Sequence, residues 1–221
     1  MKEFLQLLLA VFFPTRCLDC QTTIDSGLWC NPCRQRLLAL RKLAPQAYDC
    51  PDLESIGLCF HYTGGMRKAL HRIKFSGRQR LLPLLAQEVL VAAPEQIFTA
   101  TCQLPATLVV IPIATDPERQ KRRGYEVPTG IFYKWATHKG YRWQNSLTRV
   151  RSTQPQYGLN KKARRRNVSN CFAVTGSVQG EDILLVDDIF TSGATMEAAA
   201  RVLHQQGAHQ IWGLALAGGA D

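Results

Sequence analysis

Residues 183–195 read Ile-Leu-Leu-Val-Asp-Asp-Ile-Phe-Thr-Ser-Gly-Ala-Thr: an apolar run, then two carboxylates, then a short hydroxyl-rich loop. Ionised carboxylates only accept hydrogen bonds, so Asp187 and Asp188 suit a ligand with two neighbouring hydroxyl donors, as a ribose has. Thr191, Ser192, Gly193, Ala194 and Thr195 form a loop opening a helix, whose N–H groups and hydroxyls can wrap a phosphate at the positive end of the dipole. Gly193 lets the backbone approach closely. Diol acceptors and a phosphate cradle a few residues apart match the two parts of a ribose 5-phosphate. An apolar strand ending in Asp-Asp is also the look of a Walker B element of an ATPase. The chain contains no GxxxxGK[ST] segment and no GxGxxG loop, so the phosphate half of those machines is missing. Capping and turn formation alone explain one or two of these residues, not the set.

The eight cysteines hold a second constellation, Cys17-x2-Cys20 and Cys30-x2-Cys33. Each pair turns tightly enough to aim two thiolates at one ion, and two pairs complete the four-sulfur tetrahedron that zinc favours. With four protein ligands no coordination position stays open, so the expected metal is structural and replaces a core too small to fold alone. A disulfide pair is the competing reading, disfavoured where thiols are kept reduced. Cys50 lies near enough to be an alternative ligand, and Cys59, between Leu58 and Phe60, reads as a buried strand residue.

Charge supplies the third signal. There are 27 basic and 17 acidic residues, for a net +10. Residues 127–180 contain no Asp or Glu but carry Lys134, Lys139, Arg142, Arg149, Arg151, Lys161, Lys162, Arg164, Arg165 and Arg166. Such a field attracts pyrophosphate, nucleotides or a nucleic-acid backbone. The bland alternative is a solvated basic face.

These groups need elements to hold them. At 46% hydrophobic content, 221 residues suffice for one substantial core and a small appendage. No run approaches the roughly 18 apolar residues of a membrane-spanning helix. Residues 4–13 read as a short helix stopped by Pro14 rather than a secretory signal, which suits a cytoplasmic protein. We expect a metal module over residues 1–50, with a helix at 34–42, and the main domain over residues 51–221. In the latter, strands are predicted at 55–62, 108–113, 147–150, 183–186 and 211–216. Helices are predicted at 66–75, 81–93, 128–139 and 194–206. Alternating strands and helices imply an α/β fold with a parallel sheet, its ligand outside the carboxyl ends of the strands.

The segment at 183–195 resembles the phosphoribosyl pyrophosphate signature of type I phosphoribosyltransferases. Together with the four-cysteine module, His71-Arg-Ile-Lys-Phe-Ser-Gly-Arg78, Arg123-Gly124 and Gln156-Tyr-Gly-Leu-Asn-Lys-Lys-Ala-Arg-Arg-Arg-Asn-Val168, it resembles the ComF family over nearly the whole chain. That resemblance implies a type I phosphoribosyltransferase-like domain behind a zinc-ribbon-like module, and an association with DNA uptake in natural transformation. It further implies a mobile loop over residues 149–170 and a pyrophosphate loop after Val110. Where the pattern has Pro-Leu-His and Asn-Gln, this chain has Ala114-Thr-Asp116 and Glu126-Val127, two carboxylates that would repel pyrophosphate.

A transferase of this kind works by positioning and charge stabilisation as pyrophosphate leaves the anomeric carbon. Asp187 and Asp188 are then the catalytic candidates, holding ribose hydroxyls directly or beside Mg2+. The residues from Thr191 to Thr195 hold the 5-phosphate, and Arg149, Lys161 and Arg165 are candidates to cover the pyrophosphate. A second reading is a non-catalytic sugar-phosphate sensor that binds single-stranded DNA through the basic tract with Tyr141, Trp143 and Tyr157. A third is a structural adaptor whose zinc module docks a partner, DNA-uptake proteins among the candidates; Leu28 and Trp29 are candidate exposed contacts, and packing onto the helix at 4–13 explains them equally well.

Overall fold

The computed structural model describes residues 14–98, 103–151 and 161–219, with backbone alone at 161, 162 and 164. The helix expected at 4–13, Cys102, Tyr157 and the side chain of Lys161 lie outside the described residues.

A six-stranded sheet runs in the order β1-β2-β8-β7-β3-β4. Its strands are β1 (Leu38–Leu43), β2 (Ile56–His61), β3 (Val109–Pro112), β4 (Arg142–Trp143), β7 (Ile183–Phe190) and β8 (Ile211–Gly218). Only the β1–β2 pairing is antiparallel. The central strands are apolar on both faces, as a sheet covered on both sides requires. A separate antiparallel ladder joins β5 (Leu147–Arg149) to β6 (Phe172–Val174).

The helices are α1 (Asn31–Leu37), α2 (Gly64–Ser76), α3 (Leu82–Ala92), α4 (Pro117–Arg123), α5 (Val127–His138), α6 (Lys161–Val168) and α7 (Ala194–Gln205). Leu184 and Val186 of β7 face a core shared with Leu70, Ile73, Leu85, Ile131 and Trp135 of α2, α3 and α5. Ile183 and Leu185 face the opposite core, with Ala199, Ala200 and Leu203 of α7. Strand alternation thus divides the molecule into two apolar layers separated by one sheet.

Two expectations need correction. The helix placed at 34–42 ends at Leu37, and the chain continues as β1, which pairs with β2 through a register shift between Leu38 and Arg41. β7 extends past the predicted end at 186 to Phe190, so both carboxylates lie within the strand.

Candidate functional site

The extension of β7 decides how its carboxylates are used. Successive strand residues point to opposite faces. Asp187 therefore follows Leu185 toward the α7 side, where it lines a small open pocket with Ile189, Phe190, Thr191, Gly193, Ala194, Thr195 and Met196. Asp188 follows Val186 toward α2, where its Oδ1 lies 2.7 Å from Lys74 Nζ in a largely buried ion pair. The two groups are linked through the backbone, since the Asp188 amide donates to Asp187 Oδ1 at 2.8 Å. Burial pushes the Asp187 carboxyl up to about 7, helped by repulsion from Asp188 and opposed by the charges of Lys74 and Arg149.

The loop after β7 enters α7 at Gly193, whose φ of +76° favours glycine. Space excludes a side chain as well: a Cβ there would lie 2.5 Å from Cys50 Sγ. Cys50 is fully buried under this loop, which removes it from the candidate ligands of the four-cysteine cluster. The turn carrying Cys50 is held to α7, because Glu197 accepts from the Asp52 amide at 3.4 Å and Arg201 joins Asp52 to Glu197. Ser192 Oγ is inaccessible and has no hydrogen-bond partner among the described residues. Ser192 is not among the residues that line the pocket, whereas Thr191 and Thr195 are.

Lys74, inside the His71 to Arg78 segment, reaches the site through the fold. Its position is set at the carboxyl end of α2, where Arg123 Nε donates to the Lys74 carbonyl at 3.0 Å and Tyr125 Oη to the Ile73 carbonyl at 2.6 Å. The two carboxylates thought to oppose pyrophosphate both sit at helix starts. Asp116 is buried and accepts from the Arg119 amide at 3.3 Å at the start of α4. Glu126 precedes α5 and accepts from Thr129 Oγ1 at 3.2 Å.

Of the basic candidates, Arg149 lies on β5 with its guanidinium 5.1 Å from the Phe172 ring centroid, close enough for its charge to act on Asp187. Arg165 is elsewhere engaged: it donates to the carbonyls of Tyr48 and Asp49 and pairs with Asp49 Oδ2 at 2.9 Å. Lys161 opens α6. Two of the aromatics in the basic tract pack against α5, with Tyr141 edge-on to Trp135 at 5.6 Å and Trp143 edge-on to Tyr133 at 5.4 Å.

At the other end of the molecule the sulfur atoms of Cys17, Cys20, Cys30 and Cys33 all lie within 4.8 Å of one another. Thiolates bound to one zinc at about 2.3 Å stand about 3.8 Å apart, so the cluster can bind a metal ion such as zinc. Arg36 donates to Cys33 Sγ at 3.3 Å, placing a cation beside a shell that would carry net negative charge. Leu28 and Trp29 are buried, Trp29 beside Phe60, so neither is an exposed docking contact.

Residues 138–217 match the phosphoribosyl transferase domain family. The chain is 26% identical over 219 residues to the DNA utilization protein YhgH of Escherichia coli O6:H1, covering 90% of this chain and 96% of the relative. It is 28% identical over 213 residues to Competence protein F of Haemophilus influenzae, covering 91% and 90%. A solved L. donovani hypoxanthine-guanine phosphoribosyl transferase is similar over 62% of this chain and 71% of that one, with 13% identity and a TM-score of 0.37. Among the described residues no helix is long and apolar enough to cross a membrane.

Proposed function

We propose that this chain, a member of the ComF family with a phosphoribosyltransferase-like domain, binds phosphoribosyl pyrophosphate or a related ribose phosphate and serves DNA uptake in natural transformation. The observation carrying this reading is the pocket at the carboxyl end of β7, where Asp187 stands opposite the loop from Thr191 to Thr195. The loop amides, that of Ser192 included, and the hydroxyls of Thr191 and Thr195 hold the 5-phosphate. Asp187 accepts from the ribose hydroxyls. Mg2+, a hard cation with oxygen ligands, would share Asp187 with the diphosphate and offset its charge. Asp188, paired with Lys74, orients the strand end, and Arg149 supplies positive charge from the β5–β6 ladder.

The metal module of residues 1–50 holds structural Zn2+ and lends β1 to the sheet of the domain at residues 51–221. Its reduced thiols suit the cytoplasm. Incubating the protein with Mg2+ and phosphoribosyl pyrophosphate, with and without nucleobases, tests turnover. Release of pyrophosphate that depends on an acceptor makes it a transferase, whereas saturable binding without release makes it a sensor.

A second activity, binding of single-stranded DNA, is favoured by the outer face of α2. Phe75 is 68% exposed there, its ring 4.8 Å from that of His71, beside exposed Arg67, Arg72 and Arg78. An exposed aromatic among cations offers base stacking plus phosphate neutralisation. Titration of a labelled oligonucleotide at two salt concentrations tests it. Binding must weaken steeply with salt and with Phe75→Ala.

A further inference from the structure

The helix that carries Lys74 begins against the first cysteine pair. Asp19, between Cys17 and Cys20, packs its carboxylate against Gly64 and Gly65 in the first turn of α2. Thr63, the residue at the helix cap, contributes no side-chain bond of its own. A carboxylate in that place complements the positive end of the helix dipole.

The fit is close. A Cβ on Gly64 would lie 2.4 Å from Asp19 Oδ1, and one on Gly65 would lie 2.3 Å from Trp29 Nε1. Arg36 ties this contact to the sulfur cluster, because its Nη2 lies 2.6 Å from Asp19 Oδ2 and 3.3 Å from Cys33 Sγ. Lys68, one turn into α2, reaches back to the Asp19 carbonyl at 3.4 Å. From this anchored start the helix runs 13 residues, about 20 Å, to the end where Lys74 meets Asp188 and where Arg123 and Tyr125 hold the last carbonyls. Both ends of α2 are thus fixed, one by the cysteine module and one by the candidate site.

We propose that Asp19 is a positioning residue for the ribose-phosphate site: by capping α2 it sets Lys74 against Asp188, so that the order of the cysteine module is read out as affinity some 20 Å away. The inference uses the ribose-phosphate reading for its binding readout only. A metal-loaded module holds Asp19 in place. Loss of that order frees the first turn of α2 and, along the helix, the ammonium that orients the end of β7.

The test uses the full chain, zinc-loaded, as wild type, Asp19→Ala, Asp19→Asn and Gly64→Ala. Zinc content, hydrogen exchange over residues 64–76 and 183–195, and the Kd for Mg2+ with phosphoribosyl pyrophosphate are measured. Asp19→Ala should retain zinc, exchange faster along α2 as far as residues 72–76, and bind about fivefold more weakly, the effect of losing one helix cap. Asp19→Asn keeps the shape and an oxygen acceptor against the first turn of α2 and should return both quantities to within about twofold of wild type. Gly64→Ala displaces the Asp19 carboxylate but also strains the backbone at φ +43°, so it is paired with Gly64→Ala combined with Asp19→Ala: if displacement of the carboxylate causes the loss, the double variant exchanges no faster than Gly64→Ala alone, and additive effects count against the proposal.

Wild-type exchange around Lys74 in Asp19→Ala and Gly64→Ala overturns the proposal. Should the wild type bind no phosphoribosyl pyrophosphate, the ribose-phosphate reading falls, while the exchange measurements still decide the coupling.

Discussion

Lys74 and Asp188 meet at 2.7 Å across 114 residues of sequence, joining the end of α2 to the end of β7. The pair is mostly buried, with 20% and 10% of the two side chains exposed. Removing one partner of such a pair leaves the other desolvated and alone, which costs about 3–5 kcal/mol when burial is complete and less here because Lys74 reaches water. We expect Lys74→Met to cost about 2 kcal/mol in urea unfolding, and Lys74→Met combined with Asp188→Leu to cost less than the single change.

Asp187 carries a pH signature. Its carboxyl is pushed up to about 7 by burial, above the unfolded value, so the native state holds a proton that the unfolded chain has released. Stability from this group is complete below the unfolded pKa and falls as pH rises toward 7. Asp187→Asn should therefore raise Tm relative to wild type at pH 8, with the difference shrinking toward pH 4. The ligand reads the same group with the opposite sign if Mg2+ requires the ionised form. Wild-type affinity should rise between pH 6 and 8, and that part of the rise should vanish in Asp187→Asn when both are titrated by calorimetry.

Gly193 tests the phosphate loop. Alanine there meets both a positive φ and Cys50 Sγ. Left-handed backbone alone costs a non-glycine residue about 1–2 kcal/mol. Gly193→Ala should lower Tm and weaken ribose 5-phosphate binding. Adding Cys50→Ala should recover the share of Tm owed to the contact but not the share owed to φ.

The cysteine cluster predicts one bound metal per chain. Treatment with a chelator strong enough to compete for zinc should release one equivalent, seen with a chromogenic indicator, and expose Trp29 to solvent as a red shift in fluorescence. Cys30→Ser should bind zinc less tightly, because structural zinc supplies the folding energy of a small module.

The central strands were legible because parallel strands covered on both faces are continuous apolar runs, as residues 109–111 and 183–186 are. β1 was not legible: Leu, Ala, Arg and Lys all favour helices, and only pairing with the edge of β2 makes them a strand. α4 buries no residue, so it left no hydrophobic periodicity, although Asp116-Pro117 at its start and Gly124 at its end mark its limits. The Asp187 to Thr195 segment was visible as a motif, but its division between two faces of the sheet depended on how far β7 extends. Lys74 is one of several cations in the His71 to Arg78 segment, and only the fold brings it to Asp188. Cys50, read as a neighbour of the other cysteines, belongs under Gly193 for the same reason.

Binding of a ribose phosphate at the Asp187 to Thr195 site is tested by calorimetric titration of Mg2+ with phosphoribosyl pyrophosphate into wild type and into Asp187→Asn combined with Asp188→Asn. Saturable binding at one site is expected in the wild type and none in the double variant, with zinc content and circular dichroism unchanged. Equal affinity in the two proteins, or no binding in the wild type, would contradict it.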